Sequence, residues 1–504
     1  MTGEATANPS GRSQFAGLRT LMIVLVALGA AAVLAERVWL ATRLPFWLDE
    51  TWTAAIISAP DWRSFGREVY LDVNAPLYYL LMRAWSGLFG LSDFALRLPS
   101  LLAVAAAGLI AARARLPGLS NEARLTWGAL VFFWWGVGVF LDARCYGLLL
   151  ALSVGQCVAY GRLMHRPSLS RAAIWVALCG LAVLCQYYAA FICLAQGVIY
   201  LAVHRKRALK TWPASLLLAP VLCWILIHAS RLKDYARPDV AWHQRVDALL
   251  AIDFSSFTLG AYSLALTGVA ILIVLAATLL PRLFGREARD EAAVGSSYLW
   301  AIAAAGLLAL ALALLSGVLR PSLTARYLIP IAPSMLLALV LCAKSTPAAR
   351  RAYAALALTY LGFAIDPTGL QAKLQAGSPY GSEEASAFLT TQGVSDVVFI
   401  WDHQAARIMN PGSLRRVGEV FFRRALEPVR VTPLIVTAGQ DPNRLALAAV
   451  RGTRPGVIWI FDRTSNTAAR TTPPRLAQID PRWSCRTFGD GQTGSVACYR
   501  RSRS

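Results

Sequence analysis

A dozen apolar runs, most of them 15 to 20 residues long and separated by short Lys- and Arg-rich loops, govern what this chain can become. About 20 apolar residues in a helix cross a ~30 Å hydrocarbon core. Lipid offers backbone N–H and C=O groups no partners, so such runs fold as helices. The first run spans 21–40; others follow near 76–91, 98–112, 125–141, 146–161, 172–187, 188–203, 212–229, 262–280, 298–316, 327–343 and 352–365. Only 15% of the 504 residues are charged, against about 25% in soluble domains. An ordinary soluble enzyme is excluded. The expectation is a polytopic α-helical membrane protein with about 11–13 transmembrane helices.

Charge sets the expected orientation. The 49 Lys and Arg outnumber 28 Asp and Glu, a net charge of +21. On a soluble protein this would suggest nucleic acid. Here much of the excess falls in loops at 113–124, 162–171, 204–210, 281–291 and 344–351, as the positive-inside rule expects of a bacterial inner-membrane protein. No zinc-finger spacing and no basic helix with interleaved aromatics occurs, so no nucleic-acid partner is expected. Residues 1–19 read as a short cytoplasmic leader without regular structure, and 21–40 as an uncleaved signal anchor. The N-terminus is then cytoplasmic and the C-terminus periplasmic. One conflict stands. With residue 44 outside and 113 inside, 76–112 must cross an odd number of times, yet it reads as two segments. Either one of them is re-entrant or interfacial, or the 113–124 loop breaks the charge rule.

Residues 20–366 form the expected multi-pass domain, with a polar periplasmic stretch at 42–75. From 367 to 504 the pattern changes to strand-length apolar runs near 396–401, 431–436 and 456–461, with helical stretches between them. This predicts a small C-terminal α/β periplasmic domain. Its end, 483–499, reads as a hairpin holding Cys485 and Cys498, a disulfide candidate if the domain lies in an oxidising compartment. The other seven cysteines lie in or beside apolar runs, where a thiol is a small hydrophobe.

Charges at the ends of the runs mark the candidate chemistry. Phe46-Trp47-Leu48-Asp49-Glu50-Thr51-Trp52 sets two carboxylates just beyond the first run. An acid at a low-dielectric boundary is a functional candidate by default. The pair suits a general base for an acceptor hydroxyl or an oxygen ligand to a divalent cation. Asn74-Ala75-Pro76-Leu77-Tyr78-Tyr79 begins one helix, and Ala95-Leu96-Arg97-Leu98-Pro99-Ser100 sets an Arg at the mouth of another. Asp142-Ala143-Arg144-Cys145-Tyr146 is a charged knot in which Asp142 and Arg144 either neutralise each other or leave Arg144 for an anion, since guanidinium matches phosphate geometry. Tyr187 lies in an outer turn. Arg320, Arg326 and Tyr327 flank the start of a later run. His243 and His403 are weaker candidates without metal-ligand spacing, and no redox, protease or nucleotide motif occurs.

In order, these motifs resemble the GT-C superfamily of membrane glycosyltransferases, in the style of protein O-mannosyltransferases and lipid A aminoarabinose transferases. The resemblance covers roughly residues 20–200 and the Arg326-Tyr327 segment. It implies a polyprenyl-phosphate-linked sugar donor, a glycan, lipid or protein acceptor, and transfer at the periplasmic face of the bilayer. By the same resemblance Asp49 is the catalytic base and Glu50 its neighbour. Arg144, Arg320, Arg326 and Tyr327 are donor phosphate candidates, while Asn74, Tyr78, Arg97, Tyr146 and Tyr187 line the cavity. Attack opposite the leaving phosphate would invert the anomeric centre. Where many relatives carry His-Pro-Pro, this chain has Asn74-Ala75-Pro76. No tightly bound metal is therefore expected; a weakly bound divalent cation is left open. The alternative is a transporter or flippase of a lipid-linked envelope precursor, which expects essential charges midway along the runs.

Overall fold

The computed structural model describes residues 9–134, 141–237, 240, 245–260, 297–344, 349–365, 381–402, 406, 408–436, 440–462, 475–489 and 493–501. The run at 262–280, the loop at 281–291, His243, His403 and the 366/367 domain boundary lie outside these. Among the described residues six helical segments are long and apolar enough to cross a membrane: Ile23–Arg43, Asp93–Ala112, Tyr146–His165, Trp212–Tyr235, Ser297–Leu319 and Ala325–Lys344. Shorter apolar helices at Leu169–Cys185 and Ala189–His204 pack among them. The chain is a multi-pass membrane protein.

Helix α1 runs unbroken over Pro9–Arg43. Residues 9–19, expected as an irregular leader, instead continue the anchor helix. A helix once nucleated adds residues at little cost, and this stretch has no proline after Pro9 to stop it. Two short helices then occupy the stretch expected to be merely polar, α2 (Leu48–Ile57) and α3 (Trp62–Leu71). Next come α4 (Leu77–Phe89) and α5 (Asp93–Ala112). At 13 residues, α4 reaches about 20 Å, short of a ~30 Å core. Of the two runs in 76–112 only α5 has spanning length.

The Arg-Leu-Pro-Ser motif acquires a structural account in α5. Pro99 lies inside the helix and has no N–H for the carbonyl four residues back. That carbonyl, on Ala95, accepts instead from the Trp85 indole N–H at 2.8 Å. One residue on, the Ser100 hydroxyl reaches the carbonyls of Asp142 at 2.9 Å and Arg144 at 3.2 Å. Gly147, at the start of α7 (Tyr146–His165), lets the helices meet there: a Cβ would come 2.6 Å from the Ser100 carbonyl. The knot at 141–145 is thus tied to α5.

Beyond α6 (Asn121–Phe132) and α7 run α8 (Leu169–Cys185), α9 (Ala189–His204) and α10 (Ala219–Tyr235). Then follow α11 (Ala248–Thr258), α12 (Ser297–Leu319), a 3-10 turn at Ala325–Ile331 leading into α13 (Ala332–Lys344), and α14 (Ala349–Ala364). One end of the bundle is stitched by contacts far apart in sequence. The Tyr188 hydroxyl meets the Ser322 carbonyl, Tyr235 the Leu71 carbonyl, and the Val246 N–H the Gly317 carbonyl. The same end carries α2, α3 and the 141–145 knot.

The C-terminal part is a five-stranded sheet, order β2-β1-β3-β5-β4. Strands β1 (Asp396–Asp402), β2 (Arg430–Leu434) and β3 (Pro455–Asp462) are parallel; β5 (Thr493–Arg500) runs antiparallel to both β3 and β4 (Trp483–Gly489). Alternate residues of β1 serve two cores, Val397 and Phe399 on one face, Val398 and Ile400 on the other. Burial on both faces explains why these strands read as unbroken apolar runs. Helices α15 (Ser382–Thr391), α16 (Pro411–Phe421) and α17 (Pro442–Ala449) complete the domain. Cys485 and Cys498 face each other across β4 and β5 and are bonded. Closing a loop of about this length restricts the unfolded chain by ~3 kcal/mol. The paired change Cys485→Ser with Cys498→Ser should therefore lower the unfolding temperature of this domain, read by thermal melts with and without reductant. A reductant effect that persists in the double variant would contradict the assignment.

Candidate active site

Helix α2 is the element that joins the membrane domain to the sheet domain. Leu48, Trp52 and Ala55, one helical stripe, belong to the core of the sheet domain, and the Trp52 and Trp401 rings lie 5.4 Å apart. Further ties brace the same seam. The Ser413 hydroxyl and the Arg416 guanidinium hold the buried Glu68 carboxylate. Asp93 takes Arg423 at 2.7 Å and Arg424 at 2.6 Å, and Arg423 lies over the Phe46 ring at 4.6 Å. Held on that side, α2 turns Asp49 and Glu50 toward the bundle.

The two acids then diverge. Glu50 is fully buried. Its Oε1 accepts from Arg97 Nε at 2.7 Å and the Ala143 N–H at 2.8 Å, and its Oε2 from Arg97 Nη2 at 2.5 Å and the Trp47 N–H at 3.1 Å. The remaining Arg97 donors go to the carbonyls of Ala41, Leu44 and Pro45. All five guanidinium N–H groups and all four carboxylate positions are taken. Glu50, expected to share catalysis with Asp49, has no lone pair left for a substrate proton. Arg97, expected as a cavity residue, has no donor left for a ligand.

Asp49 is open by comparison, with its side chain 24% exposed. Its Oδ2 lies 3.2 Å from Arg326 Nη1 and 3.7 Å from Arg144 Nη2. Among the described residues Oδ1 receives no hydrogen bond. Arg326 also sits over the rings of Trp47, at 5.4 Å, and Tyr146, at 5.7 Å, while Tyr327 stacks on Tyr188 at 4.9 Å. Buried polar atoms without partners among the described residues cluster on these elements: Arg144 Nε, Trp47 Nε1, Tyr78 Oη and Thr324 Oγ1. Such atoms cost free energy unless a ligand or water meets them. Arg144 faces Asp49, and among the described residues no ion pair joins it to Asp142. Desolvation, then the Glu50 charge, pushes the Asp142 carboxyl well above its ordinary range.

Asn74 and Tyr187 lie in a neighbouring polar cluster. Asn74 Nδ2 donates to Asp72 Oδ2 at 2.9 Å, and the Tyr187 hydroxyl meets His228 Nδ1 at 2.7 Å. Arg320 is exposed just past the end of α12 and makes no ion pair among the described residues. Asp72, Tyr79 and His228 were not anticipated. His228 carried a readable signal, a lone imidazole in an apolar run; Asp72 carried none beyond its place ahead of Asn74-Ala75-Pro76. Among the described residues no three His, Cys, Asp or Glu side chains come together to hold a metal. Two guanidiniums against Asp49 also oppose a divalent cation there, so the site does not fit one.

No family model and no curated protein matches the sequence. Solved structures do match in fold. ArnT from Cupriavidus metallidurans bound to undecaprenyl phosphate aligns with a TM-score of 0.57 at 11% identity, over 96% of this chain and 98% of that one. The same protein in the apo state aligns at 0.54 and 12% identity, with the same coverage. The expected architecture, helical bundle and terminal sheet domain together, is the fold observed, and it is similar in fold to ArnT.

Proposed function

We propose that the chain is a membrane glycosyltransferase. It moves a monosaccharide from a polyprenyl-phosphate donor to an acceptor hydroxyl, on the periplasmic side of a bacterial inner membrane. One observation carries the reading: an open carboxylate, Asp49, set against Arg144 and Arg326 on a fold that in ArnT binds undecaprenyl phosphate. Charge arithmetic supports it. Glu50 and Arg97 cancel, whereas one Asp49 carboxylate between two guanidiniums leaves one positive charge. A sugar phosphodiester brings one negative charge. The Lys- and Arg-rich loops at 113–124, 162–171 and 204–210 join the opposite ends of the helices, and the positive-inside rule then supports the outer face for the site.

In this reading the acceptor oxygen attacks the anomeric carbon as the carbon–oxygen bond to phosphate breaks. Asp49 takes the acceptor proton at Oδ1, and inversion follows from attack opposite the phosphate. Negative charge grows on the departing polyprenyl phosphate, where Arg144 and Arg326 stabilise it in a site with little water. Tyr327, stacked on Tyr188, fixes the backbone beside Arg326. Arg320 has no part. The Glu50–Arg97 pair braces the N-terminus of α2 and the 141–145 knot, so that Asp49 and Arg144 stay opposed.

The test is mass spectrometry of envelope lipids and glycans from a deletion strain, the deletion carrying wild type, and the deletion carrying Asp49→Asn. A glycoconjugate short of one sugar mass in both the first and the third supports the transferase. Full restoration by Asp49→Asn would move the transporter alternative ahead. Donor contacts have their own measurement. Hydrogen bonds to charged groups are worth about 1.5–3 kcal/mol, so Arg144→Ala and Arg326→Ala should each weaken undecaprenyl phosphate binding at least about tenfold. Native mass spectrometry in nanodiscs reads this; unchanged affinity in both would remove the phosphate role.

A further inference from the structure

Asp72 is a carboxylate that the proposed chemistry leaves unused and that neutral donors alone hold among the described residues. It follows the last residue of α3. Its Oδ2 accepts from the Tyr79 hydroxyl at 2.6 Å, Asn74 Nδ2 at 2.9 Å and the Asn74 N–H at 3.2 Å. Among the described residues Oδ1 receives no hydrogen bond and no cation pairs with the group, which is half-buried. The backbone beneath it is gripped from α10. His228 Nε2 lies 3.0 Å from the Tyr70 carbonyl and 2.9 Å from that of Asp72, and Arg231 Nε donates to the Leu71 carbonyl at 2.9 Å.

Two carbonyls at Nε2 require the proton there, so Nδ1 accepts from the Tyr187 hydroxyl. That hydroxyl in turn accepts from Trp224 Nε1 at 2.8 Å. One oxygen of Asp72 is thus held by this network, and the other is left open among the described residues. The rings of Trp224, Tyr70 and Tyr187 surround His228 at 5.3, 5.8 and 6.0 Å, all three half-buried. Tyr79, which donates to Asp72, stands beside Tyr78 on α4 with their rings 6.2 Å apart, and Tyr78 Oη is one of the buried atoms without a partner among the described residues.

We propose that Asp72 binds the acceptor and that the acceptor is a carbohydrate. A carboxylate only accepts hydrogen bonds, so the open oxygen calls for a donor. A sugar ring offers several hydroxyls: one can meet Asp72 while its neighbour is attacked at Asp49, and its C–H face suits a flat aromatic ring. A Ser or Thr acceptor has one side-chain hydroxyl, which the reaction consumes, so only backbone N–H groups remain for Asp72 and no C–H face remains for the rings. A lipid without a sugar has nothing to offer the aromatic wall. This inference rests on the glycosyltransferase reading.

The test places Asp72→Asn, Asp72→Glu and Tyr79→Phe beside Asp49→Asn in the deletion strain, at matched protein levels. Each purified protein is also titrated with undecaprenyl phosphate. In Asp72→Asn the three donors keep the amide oxygen, so an NH2 group replaces the open acceptor oxygen. The product should fall at least tenfold and recover in part with Asp72→Glu, while undecaprenyl phosphate affinity changes less than twofold. The added sugar should be attached to another sugar. Should Asp72→Asn fail to accumulate, Tyr79→Phe carries the test, with a several-fold loss of product and unaltered affinity. Wild-type product in both variants, lost undecaprenyl phosphate affinity, or a sugar attached to protein or acyl chain would each overturn the inference. Product lost in Asp49→Asn but kept in Asp72→Asn overturns this inference alone; product kept in Asp49→Asn overturns the transferase reading as well.

Discussion

Asp49→Asn should abolish transfer while leaving a folded protein that still holds the donor phosphate. A positioned general base contributes about 10²–10⁴-fold, so product should fall by at least about a hundredfold. Stability should fall less than in Glu50→Gln, although Asn leaves Arg144 and Arg326 without their carboxylate. The Asp49 side chain is partly exposed and belongs to no apolar core, and the bonds from Thr53 and Arg144 to Asp49 use its backbone carbonyl. Asn preserves shape and removes the negative charge between Arg144 and Arg326. Undecaprenyl phosphate should therefore bind as tightly as before or more tightly, the opposite of Arg144→Ala. Enzyme that turns over normally, or variant protein that loses the phosphate together with its activity, would each defeat the role assigned to Asp49. The paired readout separates a missing base from a collapsed site.

The sequence carried the membrane helices, the chain order of the chemistry-bearing motifs and the small α/β domain at the end, because these follow from periodicity and local composition. It did not separate Asp49 from Glu50. The two are the same chemistry at adjacent positions, and what distinguishes them comes from Arg97 and Ala143, 47 and 93 residues away. The Arg-Leu-Pro-Ser motif was read as one cavity residue at a helix mouth. Folded, it is three separate devices: a counter-ion for Glu50, a proline whose freed carbonyl Trp85 takes, and a hydroxyl that ties down the 141–145 knot. Asp72 was illegible for a similar reason. Its importance lies in the grip of α10, some 160 residues on, and no local pattern announces which carboxylate a distant His228 will hold. The same holds for α2, whose Leu48-Trp52-Ala55 stripe looked like part of a polar loop until the sheet domain covered it.

Glu50→Gln should cost the cell its protein rather than its turnover. Breaking a buried ion pair from one side typically destabilises by about 3–5 kcal/mol, because the other charge stays buried and uncompensated. Here that charge is Arg97, 3% exposed and already committed to three carbonyls. The amide can accept from only one side. It presents an NH2 to either Arg97 Nη2 and the Trp47 N–H or to Arg97 Nε and the Ala143 N–H, all of them donors. The N-terminus of α2 and the knot at 141–145 are both released. Arg97→Met should fail in the same direction, leaving the Glu50 charge buried. The double variant Glu50→Gln with Arg97→Met should be less damaged than the sum of the two, since each change removes the charge that the other strands. Detergent-solubilised thermal melts and steady-state membrane levels measure all three. A Glu50→Gln protein that accumulates and melts like wild type yet transfers no sugar would return Glu50 to the catalytic role and leave Asp49 as its neighbour.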